Sequence, residues 1–260
     1  MNNIAVSLGC SWTYGYGINS NETYSAHLQN LCSKYKFVNA GHCGADIDYA
    51  IFSGTKLVEN YSPELIIFQL TSFDRLTLGT DGFENFLKSS VAVDDKAKIY
   101  YENQKEKHLR VIGINNGAKT KYTHGSYIAS KKDRNDEINF SNMKKINFKK
   151  YTNFLEVLYE NVVYSEYEFN KKINNLHLFK SYLDQKQIKS LWFNWIKPHD
   201  SNFFKKFFVN DNYIDVSATE WLLEKYPRNN FYIDNGYHIS DAGNNIIARD
   251  YILPRLKELI

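Results

Sequence analysis

A chain of 260 residues, 43% of them hydrophobic, is long enough to bury one large core or a core with a sizeable insertion. Its 32 basic and 29 acidic residues leave a net charge of +3, so no clustered basic face for nucleic acid is expected. Three cysteines without a C-x-x-C pair give no support to zinc or dithiol redox motifs, and no run approaches the roughly 18 apolar residues of a membrane span. Residues 1–9 lack a basic leader and a long apolar segment, so the expectation is a soluble protein of a reducing, cytoplasmic compartment.

In chain order, residues 3–8 (NIAVSL) read as a short buried strand that stops at Gly9-Cys10-Ser11. Residues 20–35 carry Tyr24, Leu28, Leu31 and Tyr35 at helical spacing, with Ser20 or Asn21 as N-cap. Residues 36–39 read as a second strand, followed by the glycine-containing turn AGHCGAD. A helix is predicted over 46–60 despite Gly54. After Ser62-Pro63 comes the clearest strand, ELIIFQL, whose continuous apolar character suits a parallel strand covered on both faces.

Residues 80–150 are polar and aperiodic, and read as an insertion or lid of short helices and irregular chain. A long helix is predicted within 151–187, on Phe154, Leu158, Val162, Ile173, Leu176, Phe179 and Leu183. IKSLWFNW (188–195) reads as another buried strand. The tail from Ser240 or Asp241 reads as a helix that Pro254 kinks or restarts. Alternating strands and helices predict an α/β fold on a parallel sheet, with the insertion at about 76–187.

Three stretches carry chemistry. Ser11 follows the first strand, at the carboxyl edge where parallel sheets place their ligands, and a turn of small residues can expose its hydroxyl beside a backbone N–H. The alternative is a plain helix cap. In NAGHCGAD the Gly44 amide can point at a developing oxyanion; the alternative is a simple loop, with His42 solvated. In DNGYHISDAGN, His238 stands just before a helix with Asp234 upstream to fix its tautomer; the alternative is a histidine held by capping contacts.

Taken together, GCSWT, NAGHCG and GYHISDAGNNIIA resemble, in order and rough spacing, the blocks of the SGNH (GDSL-like) hydrolase family. The resemblance covers both ends of the chain and leaves out residues 80–187. It implies a flavodoxin-like three-layer α/β/α fold and hydrolysis or transfer of acyl groups without a metal or other cofactor. It also implies Ser11 as nucleophile, His238 as base, and the amides of Ser11 and Gly44 as oxyanion donors.

Two positions depart from the family pattern. Its third block places a donating asparagine where this chain has Phe73, so Ser72 through its hydroxyl or Arg75 through its guanidinium are the candidates to replace it. Its aspartate normally stands three residues before the histidine, where this chain has Asn235; Asp234, one step earlier, is the expected partner, with Asn235 as the alternative. Two functions follow. One is a serine esterase acting on a small-molecule or glycan ester, with acyl transfer as a variant. The other is a weakly active or inactive ligand-binding protein on the same scaffold. Trp195 and His199 are expected at the pocket rim, or Trp195 in the core.

Overall fold

The structure, a computed structural model, describes residues 3–42, 45–71, 166–196, 212–226 and 238–260, with the short pieces 204, 207–208 and 231–232 and the backbone of three strands within 112–128. The chain divides into two compact units: Met1–Cys43, Ala50–Thr71 and Phe179–Ile260 form one, and Gly44–Tyr49 and Ser72–Leu178 the other.

The first unit is built on a parallel sheet. Its strands are β1 (Asn3–Gly9), β2 (Tyr35–Gly41), β3 (Leu65–Leu70), β7 (Lys189–Asn194) and β8 (Tyr213–Ile214), in the order β2-β1-β3-β7-β8. This is the flavodoxin-like order, in which the direction of strand addition reverses between β1 and β3 and opens a crevice at their carboxyl ends. All six residues of β3 are buried, as a central strand covered on both faces requires.

Alternation along the strands sorts the core into two layers. On one face Ala5, Leu65, Ile67, Leu191 and Phe193 pack with Tyr24 and Leu28 of α2 (Tyr24–Leu31), Leu222 of α5 (Ala218–Lys225) and Tyr251 and Leu256 from the C-terminal helices. On the other, Phe68 stacks on Trp192 at 4.9 Å, and both meet Phe179, which lies in the second half of α4 (Glu166–Gln185).

The helices follow the predicted pattern with shifted ends. Helix α3 spans Ile47–Tyr61. Residues Ser20–Glu22 form a separate 3-10 turn, and α2 starts after Thr23, whose hydroxyl accepts from the Ala26 amide at 3.3 Å; neither Ser20 nor Asn21 is the cap. The apolar spacing misled beyond Leu28, because Leu31 ends the helix in an exposed position and Tyr35 opens β2. At the C-terminus α6 (Asp241–Ile246) runs through a π-helical turn (Ile247–Ile252) into α7 (Leu253–Leu259), with Pro254 in the first turn of α7, where its missing N–H costs nothing.

In the second unit, the described part of the polar middle region forms strands rather than helices: β4 (Ile112–Ile114), β5 (Lys121–Thr123) and β6 (Ser126–Ile128) make an antiparallel sheet. β-Branched and aromatic residues in these triplets favour pleated backbone over helix. The first turn of α3 is tied to the start of α4 by charge. Asp46 caps α3 by accepting from the Tyr49 amide at 2.9 Å, Asn175 donates to Asp48 at 2.8 Å, and Lys171 pairs with Asp48 at 3.5 Å. Lys172 is fully buried there; burial lowers its pKa, against the opposing pull of Asp46 and Asp48. Phe154, Leu158 and Val162 lie outside the described residues.

Candidate active site

Ser11 opens α1 (Ser11–Tyr14), directly after β1. The turn is fixed from below by a side chain of the neighbouring strand. Gln69 is a polar residue within the buried β3, and its Oε1 accepts from the Cys10 amide at 2.9 Å and from the Thr13 hydroxyl at 3.1 Å. The Tyr24 hydroxyl, its pKa raised by burial, donates in turn to Thr13 at 3.2 Å. Nε2 of Gln69 donates to the Leu70 carbonyl at 2.8 Å, so the carboxamide uses both ends. From the other side Asn39 at the end of β2 donates to the Thr13 carbonyl at 2.6 Å.

Two glycines allow the close approach. A Cβ at Gly9 would collide with the Thr13 hydroxyl and the Gln69 side chain, and one at Gly41 with the backbone of Thr13 and Tyr14. The Ser11 amide stands in the first turn of a helix, where no intrahelical acceptor exists for it, so it remains oriented toward the carboxyl edge.

His238 arrives from the far end of the chain. Ile239 pairs with Tyr232 in an antiparallel bridge, and the Ser240 amide donates to the Phe231 carbonyl at 2.8 Å. Ser240 then caps α6 by accepting from the Gly243 amide at 3.4 Å. Asn244 locks this segment to α2: its Oδ1 accepts from the Tyr24 amide at 3.1 Å, while its Nδ2 donates to the carbonyls of Ile239 at 3.2 Å and Ser240 at 3.1 Å.

As a result, His238 Nε2 lies 3.0 Å from Ser11 Oγ, across 227 positions of sequence. The imidazole is flanked by Trp12 at 5.2 Å and Tyr16 at 5.0 Å between ring centroids, and Trp12 packs on Trp195 at 4.8 Å. Ser11, Trp12, Tyr16, Trp195, His238 and Asn244 line one small surface recess. With the Nδ1–H tautomer, Nε2 is free to accept the serine proton, the geometry a hydroxyl nucleophile and its base require.

Of the residues expected from sequence, Ser11 and His238 are brought together. Gly44, Ser72, Phe73, Arg75, His199, Asp234 and Asn235 lie outside the described residues. His42 is not solvated as expected: it is buried, and its amide donates to the Gly9 carbonyl at 3.0 Å, one step beyond the β1–β2 ladder. Trp195 is both core and rim, 2% exposed yet part of the recess. The sequence reading missed Gln69, Asn39 and Asn244. Gln69 had a signal, since a carboxamide inside an otherwise apolar central strand must find buried partners. Among the described residues no group of His, Cys, Asp and Glu is arranged to hold a metal ion, and no helix is long and apolar enough to cross a membrane.

No protein-family model matches the chain, and no curated protein matches it. Solved structures do. TesA aligns over 99% of this chain and 100% of its own, with a TM-score of 0.52 at 12% identity. The psychrotrophic esterase EstA from Pseudoalteromonas sp. aligns over 99% and 98%, with a TM-score of 0.49 at 11% identity. A G-D-S-L family lipolytic protein from Desulfitobacterium hafniense aligns over 100% of both chains, with a TM-score of 0.47 at 12% identity. The likeness to TesA, with the parallel sheet order described above, shows that this chain has the α/β fold of the SGNH (GDSL-like) hydrolases.

Proposed function

We propose that the protein is a serine esterase in which Ser11 is the nucleophile and His238 the general base. The observation that carries this reading is the 3.0 Å contact between Ser11 Oγ and His238 Nε2 at the carboxyl edge of the sheet. Ser11 Oγ attacks the acyl carbon as Nε2 takes its proton. The tetrahedral intermediate collapses, the alcohol leaves with that proton, and the acyl group stays on Ser11. Water, deprotonated by the same imidazole, then releases the acid and restores the hydroxyl.

In this reading Asp234 holds the Nδ1–H, with Asn235 as the alternative. The amides of Ser11 and Gly44, with Ser72 in place of the family's asparagine, bind the oxyanion. The chain works as one SGNH-type domain with an insertion at about 76–187. An acylated carbohydrate is the proposed substrate class, supported by Trp12 and Tyr16 beside the imidazole, whose faces suit the apolar face of a sugar ring. Acyl transfer to a second hydroxyl uses the same acyl-enzyme.

Hydrolysis of p-nitrophenyl acetate tests the reading. Ser11→Ala is expected to lower kcat by at least ~10⁴-fold, as loss of a triad nucleophile does; equal rates in the two proteins would remove Ser11 from the mechanism. Phe73 at the position of the family's donor favours a second reading, a ligand-binding protein with little or no turnover. It predicts slow hydrolysis that Ser11→Ala leaves unchanged.

A further inference from the structure

Among the described residues, two buried side-chain polar atoms have no hydrogen-bond partner: the Thr71 hydroxyl and the indole nitrogen of Trp195. Their positions are related. Thr71 is the first residue after β3, and Trp195 the first after β7. The two strands are hydrogen-bonded neighbours with Leu70 opposite Asn194, so one further step in the same register sets Thr71 beside Trp195.

Alternation puts both on the face of the sheet shared by Gln69 and Phe193. That face carries the Ser11 turn, because Gln69, two residues before Thr71, bonds to the Cys10 amide directly before Ser11. Trp195 reaches the same place by packing on Trp12 and lining the recess with Ser11 and His238. Both unsatisfied groups therefore belong to the carboxyl edge that carries the Ser11 turn.

Burying a hydroxyl and an indole N–H without acceptors opposes folding, so such groups call for a partner that the empty protein lacks. An indole N–H can only donate. The complementary ligand atom is thus an oxygen acceptor. We propose that Thr71 Oγ–H and Trp195 Nε1–H are substrate-facing donors to the ester's oxygens, in addition to the oxyanion donors named above. This rests on the reading of Ser11 as nucleophile. Both atoms are closed to water, so a hydrogen bond made there meets no competing solvent and counts for more than at the surface.

The test removes each donor and watches the indole directly. Thr71→Val and Trp195→Phe are each expected to lower kcat/KM for p-nitrophenyl acetate about tenfold, and Thr71→Val, which keeps the side chain's shape, should not lower Tm, because it removes an unsatisfied group from the free protein. In protein labelled with ¹⁵N-tryptophan, the resonance missing from Trp195→Phe is assigned to Trp195. Reaction of Ser11 with a fluorophosphonate places phosphonyl oxygens where the ester's oxygens would lie, and should move that indole proton downfield. An unmoved indole, with both variants within twofold of wild type, overturns the inference. If Ser11→Ala is inactive in that case, only the donors are refuted; if Ser11→Ala is as active as wild type, the nucleophile reading fails and takes this inference with it.

Discussion

The turn that carries Ser11 and the segment that carries His238 meet at one point but are held there by different means. The turn is clamped from inside the sheet: Gln69 of β3 and Asn39 of β2 reach under it, and Thr13 and Tyr24 extend the same buried hydrogen-bond chain. The histidine segment is held by an end-of-chain device, one antiparallel bridge, a helix cap and the carboxamide of Asn244. The serine turn is thus a property of the sheet, and the histidine segment a property of how the C-terminal helix begins. The two anchorages touch through Tyr24, whose hydroxyl serves the turn and whose amide serves Asn244.

Breaking the clamp gives the largest expected structural effect. Gln69→Leu keeps the volume of β3 but strands the Cys10 amide in the core and leaves the Thr13 hydroxyl, as donor, only the long contact to the Leu8 carbonyl at 3.5 Å. A loss of about 3 kcal/mol is expected, at the ~1–3 kcal/mol typical of each buried group left unpaired. Chemical denaturation measures it, and unchanged stability would mean the turn holds itself. Esterase activity should fall with it even where the protein stays folded, because Ser11 loses its platform.

Asn244→Ala attacks the other anchorage. It leaves the Tyr24 amide without its acceptor and frees the Ile239 carbonyl, for an expected loss of about 2 kcal/mol. Because the sheet is untouched, fluorophosphonate should still find a folded Ser11 turn but react more slowly; a variant as fast as wild type would show that the bridge alone positions His238. The smallest effect belongs to Ser240→Ala, which removes one N-cap and should cost about 1 kcal/mol, read as a shift of a few degrees in Tm.

The contrast also explains what was legible in the sequence. The sheet was, because ELIIFQL and SLWFN are apolar runs that only central parallel strands use, and every residue of Leu65–Leu70 is indeed buried. Ser11 and His238 were legible because each stands at a break between periodic segments. The clamps of Asn39 and Asn244 were not, since they look like ordinary strand and helix amides until the fold brings them to their partners. Local capping misled at Ser20 and Asn21, where a 3-10 turn precedes the true cap at Thr23. His42 misled because its amide bonds to the Gly9 carbonyl one step beyond the β1–β2 ladder, which no periodicity announces.

The claim on which the rest stands is that Ser11 and His238 act as one unit. Incubation with a fluorophosphonate followed by peptide mapping tests it most directly. The account predicts a single adduct on Ser11, absent in Ser11→Ala and formed far more slowly in His238→Gln, whose fold and Tm are otherwise retained. A wild-type protein that stays unlabelled, or His238→Gln labelled at the wild-type rate, would contradict it.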